Sequence, residues 1–223
     1  YACGQAKTRS SRGIEQQALH WSDKQLHLKV VRRMYQYRFN ESLSAELTLQ
    51  QIRGKEGVRV RESYLALAKE FGVQWNGRNY DRSSWENSDA INKALSAANA
   101  VLYSIVLAGL HSLGYSPSLG FIHTGKQLSF VYDIADLVKT QTSMPAAFEA
   151  AANGDTNVET RARAILRDRC SHERIQDRLT TAIPKLFNSS SPLGEESSQD
   201  IVSSIWDPNG PIAGGIQYGH DDC

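Results

Sequence analysis

Residues 87–113 form the stretch that most constrains the fold. They are rich in Ala, Leu and Ile, and Ser88 or Asp89 stands where a helix N-cap is expected. Four polar residues recur at steps of four, three and four, so they share one narrow stripe: Asn92, Ser96, Asn99 and Tyr103. The rest of this helix is apolar enough to be buried, and buried polar groups need hydrogen-bond partners. The stripe therefore either contacts neighbouring loops or borders a polar cleft.

The remaining pattern also predicts helices and almost no strands. Apolar residues recur at helical spacing in four further segments: 16–39, 58–71, 129–152 with an interruption near Pro145, and 158–186. From residue 188 the composition shifts to Ser, Gly, Pro and acidic residues. The sequence thus predicts an all-α fold, with a helical domain over residues 1–187 and a largely disordered, flexible acidic tail over 188–223.

Composition narrows the class of protein. No apolar run approaches a membrane span, and no secretory leader opens the chain, which starts at Tyr1 and is read as a fragment or a processed product. The three cysteines are far apart, which argues against a disulfide framework or a zinc ribbon and favours the cytoplasm. Residues 1–140 carry 18 Lys and Arg against 12 acids. This excess is either ordinary surface variation or the mark of a polyanionic partner.

The segment 120–139, GFIHTGKQLSFVYDIADLVK, holds candidate metal ligands. His123 lies in a glycine-flanked loop, and Asp133 and Asp136 follow on a predicted helix. The apolar residues Phe130, Val131, Ile134 and Val138 occupy one face of this helix, so both carboxylates are predicted on the opposite, polar face. An imidazole and two carboxylates suit a divalent metal. The alternatives are a structural hydrogen bond for the histidine and a solvated face for the acids.

A third oxygen ligand could come from Glu56, which lies among cations in IRGKEGVRVRESY. It is predicted at the start of a helix, where capping alone would explain an acid. Together, Glu56, His123 and Asp136 would offer one nitrogen and two oxygens, a mixture that suits Mn²⁺ or Mg²⁺. The chain has no G-x-S-x-G elbow, Walker loop, dinucleotide-binding glycine motif or H-E-x-x-H helix.

Several sequence runs resemble the CRISPR-associated endonuclease/integrase family in its subtype I-E branch. They are LTLQQIRGKEGVRVRESY, WNGRNYD, NKALSAANAVLYS, GYSPSLGFIHTGKQLSFVYDIADL and IAGGIQYG. The resemblance covers nearly the whole chain and is densest over residues 19–148. Family members have an N-terminal β-rich domain followed by a helical catalytic domain, and this chain resembles the second part alone.

The resemblance implies a role for individual residues. Glu56, His123 and Asp136 match the family's metal ligands, for Mg²⁺ or Mn²⁺, and Asp133 matches a further acid important for activity. Four residues match positions near DNA: Arg59, Arg78, Tyr103 and Lys139.

The implied activity is metal-dependent insertion of captured DNA fragments at the CRISPR repeat, through attack of a 3′-OH on a phosphodiester. With water as the attacking group the same site would be a nuclease. The implied partners are DNA, a small ferredoxin-like adaptation protein and a second copy of the full-length chain, with no membrane. The alternatives are a non-catalytic helical module that binds DNA and one that serves only protein interaction.

Overall fold

The computed structural model describes residues 11–78 and 89–187, together with the backbone of two short strands near the C-terminus. The predicted all-α fold is confirmed. Eight helices follow one another in the described part: α1 (Arg12–Ser22), α2 (Lys24–Phe39), α3 (Leu49–Phe71), α4 (Ala90–Ser112), α5 (Ser129–Asp136), α6 (Ser143–Ala152), α7 (Val158–His172) and α8 (Ile175–Phe187).

Residues 1–189 and 190–223 form two separate units. In the second unit, β1 (Ser204–Ile205) pairs antiparallel with β2 (Ile212–Ala213), with Ser204 opposite Ala213. The rest of the predicted tail lies outside the described residues, so its flexibility stays a prediction.

Helix α4 is the centre of the first unit, and α5, α6, α7 and α8 all pack against it. It begins at Asp89, whose carboxylate accepts a hydrogen bond of 2.9 Å from the amide of Asn92, so Asp89 is the cap. By length and composition alone α4 would pass as a membrane span, contrary to the prediction that no apolar run approaches one. Half of the qualifying window is buried within the protein, as expected for a core helix, so this is weak evidence for a membrane.

The polar stripe of α4 contacts neighbouring segments. Arg78 donates hydrogen bonds to the side chains of Asn92 and Ser96, at 2.7 and 2.9 Å. Ser143, at the start of α6, donates to Asn99 at 2.7 Å. Three of the four stripe residues therefore meet loops or helix ends, which is the first of the two predicted alternatives.

The predicted segment 16–39 is two helices, because Asp23 interrupts it. The extended backbone of Asp23 ends α1, and its carboxylate accepts hydrogen bonds of 2.8 Å from the amides of Gln25 and Leu26, which starts α2.

Helix α3 starts nine residues earlier than predicted. Thr48 and Gln51 form a capping box there, so Glu56 lies two turns inside the helix and does not cap it. The prediction that Glu56 heads this helix is wrong.

The segment 129–152 is interrupted between Asp136 and Ser143. Pro145 lies in the first turn of α6, where its missing N–H removes no helical hydrogen bond. The prediction of an interruption is confirmed.

Candidate active site

Asp133 is the centre of a buried hydrogen-bond network. Its side chain is fully buried, and its carboxylate accepts hydrogen bonds from the amides of Phe121, Ile122 and His123 at 2.6, 3.1 and 2.8 Å. It also contacts the Nδ1 atom of His123 at 2.7 Å. The alternative of a solvated face is wrong for Asp133, because the loop before α5 folds back over it.

This network fixes the state of His123. A carboxylate only accepts hydrogen bonds, so Nδ1 carries a proton and donates a hydrogen bond to Asp133. The same hydrogen bond raises the pKa of His123 above its ordinary value, against the lowering effect of partial burial. The side chain of His123 is 45% exposed. The neutral ring would therefore offer Nε2 as a ligand or acceptor on its open side.

Helix α1 and the start of α2 clamp the loop that carries His123. Gln17 is fully buried, and its amide group donates to the carbonyls of Ser116 and Leu119, both at 2.9 Å. The indole of Trp21 donates to the carbonyl of Gly120 at 3.2 Å, and the ring of His27 contacts the carbonyl of Phe121 at 2.9 Å. The loop is thus held from outside by α1 and α2 and from inside by Asp133.

Gly120 is required by this close packing. A Cβ atom at Gly120 would lie 2.7 Å from the Cβ atom of Ser129 and closer still to the carbonyl of His123. Real Cβ atoms do not come this close to backbone, so any side chain here would displace the loop.

Asp136 ends α5 and faces two cations. Its carboxylate accepts a hydrogen bond of 2.6 Å from the ammonium group of Lys139, which also donates to the hydroxyl of Tyr103 at 3.3 Å. Burial lowers the pKa of Lys139, but Asp136 and Tyr103 raise it by more, so this ammonium group stays charged. Lys139, Tyr103 and Asp136 therefore form one cluster.

Glu56 reaches the same region from α3 through Arg38. The guanidinium of Arg38, in the last turn of α2, donates to the carboxylate of Glu56, and its Nη1 atom lies 3.8 Å from the carboxylate of Asp136. These three side chains are 10 to 20% exposed. The Tyr35 hydroxyl is buried near Glu56, and burial together with that carboxylate raises the pKa of Tyr35 to about 12.

Arg59 and Arg78 contact groups other than Asp136. Arg59 forms an ion pair of 2.9 Å with Glu41, and its guanidinium lies over the ring of Phe39, beside a groove that Glu56 also lines. Arg78 is engaged with the polar stripe of α4.

The donor set fits a hard divalent cation in charge and chemistry. The carboxylates of Glu56 and Asp136 come from different helices and converge on one positive group, and the charge of Asp136 acts on His123. Asp133 does not fit as a ligand, because both of its oxygens are already bonded. Within residues 11–78 and 89–187, no three His, Cys, Asp or Glu side chains stand close enough together to enclose a metal.

Comparison with known proteins gives the family. The family model described as CRISPR associated protein Cas1 matches residues 5–171. The chain belongs to the Cas1 family. The family resemblance predicted from the sequence is therefore confirmed.

Named Cas1 relatives are similar over most or all of this chain. "CRISPR-associated endonuclease Cas1 2" of Thermus thermophilus is 46% identical over 229 residues, which span 100% of this chain and 70% of that protein. The Cas1 of a Clostridium species is 40% identical over 100% of this chain and 74% of its own length. The Cas1 of Escherichia coli K12 is 46% identical over 75% of this chain and 55% of its own length.

Solved Cas1 structures share the fold. The crystal structure of a TtCas1–DNA complex superposes with a TM-score of 0.79 at 45% identity, covering 93% of this chain and 72% of that one. The structure of TtCas1 alone gives a TM-score of 0.75 at 46% identity. Such agreement places this Cas1 chain in the same fold as both.

Residues outside the predicted site set also shape this Cas1 site. Gln17 and Trp21 hold the His123 loop, and Arg38 joins the two carboxylates. The sequence gives no local signal for them, since their partners lie 18 to 102 positions away. The apolar spacing on one face of α2 indicates that this face is buried, and this is the sequence signal nearest to these residues.

Proposed function

We propose that this chain is a metal-dependent DNA endonuclease and integrase of CRISPR adaptation, of subtype I-E. One observation carries the proposal: carboxylates from α3 and α5 converge on a single positive group beside a histidine whose Nδ1 is held by a buried aspartate. Two findings on relatives support it. Several Cas1 proteins are named endonucleases, and one TtCas1 structure is a complex with DNA.

Glu56, His123 and Asp136 would hold Mg²⁺ or Mn²⁺ through two carboxylates and Nε2 of the imidazole. When bound, such a cation polarises a phosphate and lowers the pKa of an attacking hydroxyl. Asp133 keeps the imidazole oriented and fixes the tautomer of the neutral ring, in which Nδ1 carries the proton and Nε2 is open. The site would thus act on phosphodiesters without a covalent enzyme intermediate.

Lys139 and Tyr103 would position the DNA backbone next to these ligands. The charged ammonium group of Lys139 can pair with a phosphate oxygen, and the Tyr103 hydroxyl beside it can donate to the same group. Arg59 and Arg78 would add contacts to phosphates further along the duplex. Such contacts read no sequence, so binding should weaken steeply as salt is raised.

The reaction would be a transesterification. A 3′-OH of a captured DNA fragment attacks a phosphodiester at the edge of the CRISPR repeat, a new P–O bond forms, and the bond to the departing 3′-oxygen breaks. With water as the attacking group, hydrolysis results. We further propose a small ferredoxin-like partner protein and a homodimer of the full-length protein in the integrating complex.

Joining of DNA ends tests the proposal. We expect fluorescently labelled duplex with free 3′-OH ends to join a plasmid carrying a CRISPR repeat in Mn²⁺, with the partner protein present, and not in EDTA. Glu56→Ala and His123→Ala should abolish product, whereas Glu159→Ala, which removes an exposed acid on α7, should not. Joining by Glu56→Ala at the wild-type rate would overturn the proposal.

A further inference from the structure

Arg38 occupies an unusual position for a cation. Its side chain is only 10% exposed, so its positive charge is stabilised mainly by neighbouring protein groups and little by water. The guanidinium donates to Glu56 of α3 and lies 3.8 Å from Asp136 of α5. One nitrogen atom, Nη1, makes both approaches, so the two carboxylates face the same point in space.

Lys139 has a different part in this cluster. It pairs with Asp136 from the next turn of the same segment, a contact that sequence spacing alone brings about. Arg38 instead joins carboxylates that lie on two different helices, 80 positions apart in the sequence. Two carboxylates brought together without a cation would repel each other, so Arg38 compensates a charge that the fold itself creates.

The point that Arg38 occupies is also where a divalent cation would have to reach both carboxylates. A metal ion that reaches both carboxylates at this point would meet the guanidinium, and two positive groups so close together repel each other. The hydroxyl of Tyr35 is buried next to Glu56, and Arg38 donates to this carboxylate from α2. Glu56 is therefore held from α2 by a charge-assisted hydrogen bond, for which a metal cation can compete.

We propose that Arg38 is a positioning residue that serves as an internal counter-ion for the metal site. It holds Glu56 and Asp136 together before a divalent cation arrives, and the cation must displace it to bind. In this way the metal-free protein keeps these two carboxylates close together, at the expense of metal affinity. The inference rests on the proposed function, because it requires that these two carboxylates bind a cation.

Mn²⁺ binding to the 223-residue chain tests this inference. Arg38→Met keeps the apolar stem and removes the charge, and free Mn²⁺ is measured by electron paramagnetic resonance during titration. We expect the variant to bind Mn²⁺ roughly tenfold more tightly than the wild type, since a repelling charge is gone. Arg163→Met, in an exposed ion pair on α7, is the matched control and should leave the affinity unchanged.

Unfolding in urea supplies a second measurement. In EDTA, Arg38→Met should unfold at lower urea than the wild type, and Mn²⁺ should raise its midpoint by more than it raises the wild-type midpoint. If Arg38→Met folds too poorly for titration, Arg38→Lys retains a cation and should keep both the stability in EDTA and the weaker Mn²⁺ affinity close to the wild type.

The outcomes separate the inference from the proposed function. Tighter Mn²⁺ binding by Arg38→Met would support the counter-ion role. Unchanged or weaker binding by that variant, with a wild type that does bind Mn²⁺, would overturn the counter-ion role and leave the metal site standing. No Mn²⁺ binding by either chain would overturn the metal site and the inference together.

Discussion

Replacing Asp133 by Asn tests the network that orients His123. Asparagine has almost the same shape, but one oxygen becomes an NH₂ group, which only donates hydrogen bonds. The carboxylate of Asp133 accepts four hydrogen bonds, two at each oxygen. Whichever way the new amide turns, its NH₂ group must face two groups that now donate to the carboxylate.

The magnitude follows from those contacts. If the NH₂ group replaces Oδ2, the amides of Phe121 and Ile122 lose their acceptor in a region that is largely closed to water. A buried donor left without a partner costs about 1–3 kcal/mol. That orientation leaves two such donors. With the NH₂ group at Oδ1 instead, Nδ1 of His123 can accept from it in the other tautomer, and only the His123 amide is left unpaired. The asparagine takes the less costly orientation, so we expect a loss of roughly 1–3 kcal/mol, against the roughly 5–15 kcal/mol by which a domain is stable.

Urea unfolding followed by circular dichroism at 222 nm measures this loss. The free energy of unfolding of Asp133→Asn should fall by the stated amount with an unchanged slope against urea. Asp177→Asn makes the same chemical change in an ion pair whose side chains are 78% and 63% exposed, and should alter stability by no more than about 0.5 kcal/mol. A loss for Asp133→Asn as small as that of Asp177→Asn would refute the four-bond account.

Two further predictions concern packing and burial. Gly120→Ala should destabilise the protein by about 1–3 kcal/mol in the same assay, because its Cβ would strike the backbone near His123 and Ser129. Gly109→Ala, inside α4 with no atom within 4 Å of the added carbon, should instead stabilise it by up to about 1 kcal/mol, and equal effects would contradict the steric reasoning. Burial raises the pKa of the Cys170 thiol to about 11, so thiol alkylation followed by peptide mass spectrometry at pH 8 should find Cys170 protected in the native protein and labelled in urea. Rapid labelling of native Cys170 would show that the α7 face is open.

The sequence predicts the helices because their signal is local. Periodic apolar residues and the cap at Asp89 are enough to place α4, and the all-α class follows from the same pattern in the other segments. The start of α3 was missed because residues 49–57 have little apolar periodicity, and only Ile52 of that helix is buried. There the capping box of Thr48 and Gln51 was the available signal.

The candidate site is harder to predict because its contacts are distant in sequence. Helical spacing puts Asp133 opposite Phe130 and Ile134, and that pattern alone reads as a solvated face. It cannot show that residues 121–123 turn back and donate three amides to the carboxylate. The family resemblance predicts the residues of the candidate site, but only the fold shows their distinct environments: both oxygens of Asp133 accept hydrogen bonds, whereas Asp136 is paired with cations.

The two halves of the candidate site are held by different kinds of contact, so cation binding should affect them differently. The His123 half is fixed by directional hydrogen bonds at short distance to buried groups, which leave the loop few alternative positions. The half with Glu56 and Asp136 is held by charge-assisted hydrogen bonds from Arg38 and Lys139, between side chains that can rotate without breaking a helix. A cation at the proposed metal site would therefore meet an imidazole already in place, and the two carboxylates would have to move toward it. Rearrangement on binding should be confined to Glu56, Asp136 and their cationic partners, while the loop around His123 stays where Asp133 holds it.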